Sequence, residues 1–213
     1  TSRVVSQVKE ALEEKAEMSL SRVAIAAAGR ALKTKRASVV TELDGRESIT
    51  ENMLKSLELE AVAKAQSELD SDNTSENVTF YCVGHTVTKY ALDDYPIKSL
   101  LGHKGKKVEV ELIAAFLPSL VVESLYTVMD MNGLDVCSLT LEPIAAMNVI
   151  IPPEVRLINI ALVDIGAGTT DIAISRSGSI VAYAMATIAG DEITEDIIQK
   201  YLVDFETAEN MKL

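Results

Sequence analysis

Asp164 and Asp171 bracket a short segment, Asp164-Ile165-Gly166-Ala167-Gly168-Thr169-Thr170-Asp171, that holds two carboxylates, two glycines and two hydroxyls. The apolar runs on either side, Ala161-Leu162-Val163 and Ile172-Ala173-Ile174, read as two strands joined at this turn. Gly166 and Gly168 can take φ > 0 and let a ligand approach the main chain. Successive amides around such a turn make an anion-binding nest, and Thr169 and Thr170 add hydroxyl donors suited to the oxygens of a terminal phosphate. Asp164 closes an apolar strand, where a carboxylate is costly unless it meets water, a donor or a cation. Mg²⁺ fits such a place, because it keeps its waters and takes few protein carboxylates beside substrate phosphates. Asp171 lies further round the turn and is the weaker metal candidate. The same residues also make an ordinary hairpin, and the segment alone does not separate the two readings.

Three more features could carry chemistry. Ala189-Gly190-Asp191-Glu192-Ile193-Thr194 opens a helix, whose N-terminus offers free N–H groups and a positive dipole end; a capped helix with a glycine entry is the simpler account. Glu209 and Lys212 share a face of the last helix at a spacing of three, which is also commonplace on a surface. Cys82 and Cys137 each sit in an apolar run and read as buried free thiols, suited to a reducing cytosol. There is no CxxC or HxxxH spacing and hence no expected metal cage. His85 and His103 read as structural or surface residues.

These residues need elements to position them. The 213 residues are 48% hydrophobic with 4% aromatics and no Trp, so small and aliphatic side chains must fill the interior. A net charge of −12 argues against a nucleic-acid partner, because phosphate backbones demand basic surfaces. No signal peptide and no membrane-length apolar run is present. The chain starts at Thr1 and stops at Leu213 within a helical pattern, which leads us to expect a piece of a longer protein. Helices are expected over 3–19, 53–69, 119–131, 142–149, from 191 or 194 to 201, and from 206 on. Strands are expected over 23–28, 37–43, 78–92 in two parts, 107–116, 136–140, 159–164, 171–175 and 179–186. A polar loop is expected at 70–77, with turns at 44–46, 166–170 and 176–178. The stretch 37–117 reads as a small α+β module inserted into a larger α/β body.

The order LEPIAAMN (141–148), ALVDIGAGTTDIAI (161–174), SGSI (177–180), AGDEITEDI (189–197) and TAENMKL (207–213) resembles the actin-like ATPase superfamily. Within it, the chain is similar to the FtsA family of bacterial cell-division proteins. The resemblance implies an α/β fold of the actin-like ATPase (ribonuclease H-like) type, partial, with an inserted SHS2/1C-type α+β module. It implies part of subdomain 1A at 1–36, the 1C-like module at 37–117, the return of 1A at 118–156 and the start of 2A at 157–213. By the same resemblance, Asp164 would hold Mg²⁺ through water, and Gly166, Gly168, Thr169 and Thr170 would face the β- and γ-phosphates of ATP. Glu142 matches the position that orients the attacking water, where a carboxylate could act as general base; a helix-start Glu favoured by the dipole is the alternative. Gly190, Glu209 and Lys212 match positions on the nucleotide's sugar and base side.

For the intact protein the resemblance implies self-association into filaments and attachment of a tubulin-like division ring to the inner face of the membrane, through a segment absent from this chain. It also implies contacts with other divisome membrane proteins through the 37–117 module. The family's first phosphate loop and its later adenosine motif are not in this sequence. The chain itself is therefore expected to bind nucleotide weakly or not at all, and the intact protein to be at most a weak ATPase. A PilM-like scaffold for pilus or secretion assembly, and a DnaK- or EutJ-type chaperone ATPase, are the alternatives.

Overall fold

The computed structural model describes residues 1–27, 31–72, 78–152, 154–155, 158–176 and 179–212. The strand end expected at Gly29, most of the 70–77 loop, the break at Pro153, the turn at Ser177-Gly178 and Leu213 lie outside the described residues. Two compact units, Thr1–Ala145 and Ala146–Leu213, divide within the helix Glu142–Ile150.

The first unit begins with α1 (Ser2–Ala16), β1 (Arg22–Ala27), β2 (Lys33–Glu42) and α2 (Glu51–Asp72). It continues through β3 (Phe80–Leu92), β4 (Tyr95–Ile97), β5 (Lys107–Pro118), α3 (Ser119–Asp130), β6 (Asp135–Leu141) and the first residues of α4 (Glu142–Ile150). Its core is an antiparallel sheet of order β2-β5-β3-β4 covered by α2. Alternation along β5 puts Val108, Val110, Leu112, Ala114 and Phe116 on the face toward α2, all fully buried. From α2, Leu57, Ala61, Ala65 and Leu69 answer at a spacing of four, which keeps one stripe inward. Each large apolar side chain buried this way contributes about 1.5–3 kcal/mol. Alanines in the middle of the stripe let helix and sheet approach closely.

Three strands differ from expectation for physical reasons. β2 begins at Lys33 rather than 37, because Lys33 lies over the Phe80 ring with Nζ 4.7 Å from its centre, and Lys35 pairs with Asp72. β3 is one strand of 13 residues, since two register shifts, at Cys82/Gly84 and Val87/Lys89, absorb the irregularity that breaks its pattern. β4 carried no glycine signal: its turn is Asp93-Asp94, both at positive φ (49° and 69°). The Asp93 carboxylate accepts the backbone N–H groups of Lys106 and Lys107 at 2.8 and 2.9 Å, which holds it below the usual carboxylate range.

β1 and β6 form a two-stranded parallel sheet beside α1 and α3. α1 stops at Ala16, short of 19, where Glu17 turns left-handed at φ 52°. Cys137 is exposed and Cys82 half-buried, so the expectation of two buried thiols fails. Among the described residues β6 pairs only with β1, and the exposed Cys137 donates its thiol to the Val23 carbonyl at 3.2 Å.

The second unit is the antiparallel meander β7 (Ile160–Ile165), β8 (Thr170–Arg176) and β9 (Ser179–Ala186), followed by α5 (Gly190–Tyr201) and α6 (Phe205–Lys212). α5 closes through Leu202 in the left-handed region at φ 55°. Among the described residues, no helix is long and apolar enough to cross a membrane.

Candidate functional site

Asp164 and Asp171 stand directly opposite each other on β7 and β8, and the next pair, Ile165 and Thr170, closes the hairpin. Residues directly opposite on one face of an antiparallel pair lie about 4.5–5.5 Å apart at Cβ, so the two carboxylates feel each other. Asp171 is buried while Asp164 is half-exposed. Burial first, and the Asp164 charge second, hold the Asp171 carboxyl above its ordinary range; the Thr169 hydroxyl opposes this. The more exposed Asp164 is the one a hydrated cation could reach.

The turn is closed by Gly166 N–H donating to Thr169 O at 2.9 Å. Gly166 is not in the left-handed region, contrary to the φ > 0 expectation for it. Its glycine suits a close approach, since a Cβ there would lie 3.2 Å from Thr169 O. The amides of Ala167 and Gly168 have no protein acceptor among the described residues, and Ala167 is exposed. Two adjacent outward N–H groups beside a hydroxyl are what an anion-binding nest requires.

The N-terminus of α5 holds this turn from behind. Gly190 N–H donates to Gly166 O at 3.0 Å and Asp191 N–H to Ala167 O at 2.7 Å. These two donors are therefore not free for a ligand, as a bare helix start would have them. They satisfy the carbonyls of the turn and leave its amides facing the other way. Gly190 fits closely here as well, since a Cβ would stand 3.1 Å from Gly166 O. Thr170 is fixed by its hydroxyl, which donates to Ile188 O at 2.7 Å.

α6 completes the group. Lys212 Nζ donates to Glu209 Oε1 at 2.5 Å, Thr194 Oγ1 at 2.8 Å and Gly190 O at 3.3 Å. Thr194 also donates to Glu209. Lys212 first, and then Thr194, keep the Glu209 carboxyl below its ordinary range. Sequence reasoning passed over Thr194, the buried hub of this network. Its signal was its place one turn after Gly190, on the face that Lys212 must meet.

Thus Asp164, Gly166, Gly168, Thr169 and Thr170 lie in one hairpin, and Gly190 joins that hairpin to Glu209 and Lys212. Glu142, half-buried, is the first residue of α4 and belongs to the other unit.

The fold is of the actin-like type. In sequence the chain is similar to the cell division protein FtsA. The sequence profile described as "Cell division protein FtsA" matches residues 161–213, from β7 through α6. Cell division protein FtsA of Pseudomonas aeruginosa is 30% identical over 131 residues, covering 61% of this chain and 31% of that protein. The Bacillus subtilis protein of the same name is 27% identical over 108 residues, covering 51% and 24%. The chain thus spans less than a third of the length of these curated relatives. A chain of the solved PilM-PilN type IV pilus biogenesis complex superposes with a TM-score of 0.63 at 20% identity, over 98% of this chain and 55% of that one. At that identity the likeness concerns the fold.

Proposed function

We propose that the intact protein is an ATP- and Mg²⁺-binding, actin-like cell-division protein that self-associates and tethers a tubulin-like division ring to the cytoplasmic face of the membrane at the septum. The observation that carries this reading is the hairpin 163–173 clasped by α5, with two outward amides, two threonine hydroxyls and a half-exposed Asp164, inside the segment matched by the FtsA profile. In this reading Asp164 holds Mg²⁺ through water. Gly166, Gly168, Thr169 and Thr170 meet the β- and γ-phosphates, while Gly190, Glu209 and Lys212 line the sugar and base side. Glu142 orients the attacking water. Membrane attachment uses a segment outside this chain, and the 37–117 module, set between 1–36 and 118–156 of subdomain 1A and ahead of 157–213 of 2A, meets other division proteins.

The test uses the full-length gene product. ATP·Mg²⁺ binding by calorimetry and ATP-dependent pelleting of polymer are expected, with Asp164→Ala weakening binding by about 10²-fold, the scale of losing roughly 3 kcal/mol. Absence of both binding and polymer would refute the reading. The 213-residue chain should bind ATP·Mg²⁺ only weakly, since a phosphate clamp of this class needs a second hairpin; low-micromolar affinity would contradict that.

A second reading, a PilM-like scaffold for pilus or secretion assembly, draws on a cleft of about 580 Å³ in the first unit. Tyr81, Val83, Val122, Tyr126, Val136 and Leu139 line it, and an extended peptide of a membrane partner fits such walls. Pilus genes beside this gene, rather than division genes, would favour it.

A further inference from the structure

We propose that Thr194 is a positioning residue for nucleotide selection: it pins one oxygen of Glu209 and leaves the other to accept a hydrogen bond from the ligand's sugar or base. The inference deepens the nucleotide reading and rests on it. Thr194 itself touches no ligand and acts through Glu209.

Thr194 is fully buried within α5. Its hydroxyl has one proton to give and lone pairs to receive. Lys212 is a donor only, and its ammonium reaches Thr194 Oγ1 at 2.8 Å. Glu209 is an acceptor only, because Lys212 first, and then Thr194, hold its carboxyl below the ordinary range and keep it ionised. The single proton of Thr194 therefore goes to Glu209 Oε1 rather than to Gly190 O, which lies 3.3 Å away. The hydroxyl thus links lysine to carboxylate, receiving from one and giving to the other. Valine can do neither, whereas serine can do both.

Both contacts fall on the same oxygen. Lys212 and Thr194 each reach Oε1, and Oε2 has no partner among the described residues. The Glu209 side chain is 34% exposed and that of Lys212 21%, so the pair is anchored in the fold yet open to solvent. Without the hydroxyl, Glu209 would keep only a part-exposed ion pair, and such pairs hold long side chains poorly. Lys212 also donates to Gly190 O at 3.3 Å, and Gly190 N–H holds Gly166 O at 3.0 Å. One residue of backbone therefore separates the network around Thr194 from the turn of the hairpin.

An ionised oxygen held in one place selects by chemistry. It pairs with an O–H or N–H and is left unpaired by a carbonyl or a missing group, which costs binding. Three donors of ATP qualify: the two ribose hydroxyls and the adenine amine. Analogues remove them one at a time, since dATP and cordycepin triphosphate each lack one hydroxyl and ITP carries a carbonyl in place of the amine.

The test is calorimetry on the full-length gene product with the magnesium complexes of ATP and these analogues. The wild type should bind ATP about tenfold more tightly than the analogue lacking the donor that Glu209 accepts. Thr194→Val should weaken ATP about tenfold while leaving that analogue within about threefold, so that the preference collapses. Thr194→Ala should behave in the same way, and Thr194→Ser should keep both affinity and preference, with thermal melting showing which variants are folded. A wild type without affinity for ATP would sink the nucleotide reading and this inference together. If the wild type binds ATP, three results would overturn the inference alone: no preference over any analogue, hydroxyl-free variants that keep the preference, or variants that lose affinity for every nucleotide by the same factor.

Discussion

Gly190 leaves little room for a side chain where α5 meets the turn of the hairpin. A methyl group there would press on Gly166 O from 3.1 Å, so that the turn would have to give by a few tenths of an ångström. Gly190→Ala should therefore cost about 1–3 kcal/mol in urea unfolding, the range of an overpacked contact, and speed exchange of the Asp191 amide. Unchanged stability would mean that α5 does not lean on the turn. The Asp171 carboxyl, held above its ordinary range by burial and by Asp164, binds a proton more readily in the native than in the unfolded chain. Its ionised form consequently costs stability in full above the folded pKa, and the cost fades as pH falls through that value. Asp171→Asn should raise the melting temperature at pH 7.5 and lose the advantage as pH approaches about 4; equal melting at both pH values would rule this out. At this scale the sequence showed which residues gather but not why. Gly166 and Gly190 were legible as glycines, yet their reason is close approach, within the turn for Gly166 and between turn and helix for Gly190, and a one-dimensional pattern does not contain those distances.

Among the elements, α2 was the most legible, because a four-residue spacing of Leu57, Ala61, Ala65 and Leu69 can face only one way on a helix. The stripe is tight at its centre, where Ala61 is fully buried against the sheet. Ala61→Leu should destabilise the first unit by about 1–3 kcal/mol, read by thermal melting, and a neutral result would reveal slack between helix and sheet. β3 and β4 were less legible, each for a local reason. Two register shifts in β3 break the period-two alternation from which strands are read, and the Asp93-Asp94 turn makes its positive φ angles without glycine. The exposure of Cys137 was illegible for a different reason: an apolar sequence neighbourhood does not tell how many partners its strand finds.

For the molecule as a whole, charge is the property most directly read from the sequence. With −12 spread over 213 residues, the chain should bind an anion exchanger and leave duplex DNA unshifted at physiological salt in a gel-mobility assay; a salt-sensitive shift would show a basic surface strong enough to outweigh the total. The order of motifs from 141 to 213 was enough to place the fold in the actin-like class, since several short motifs in fixed sequence are more specific than any one turn. The stretch 37–117 stood out in the sequence only as a change of rhythm, a long helix among strands.

β5 lies between β2 and β3 and is hydrogen-bonded along both sides. The chain is made from its N-terminus, and Lys33 must wait for Phe116, about 80 positions later, before its strand has a neighbour. At roughly 5–20 residues per second this is an interval of about 4–16 s on the ribosome. During that time the ten residues of β2 lack the strand they pair with. Nascent chains stalled shortly before and well after Pro118 has left the exit tunnel should differ sharply in protease resistance at residues 33–42, and equal resistance would show that β2 finds another shelter first.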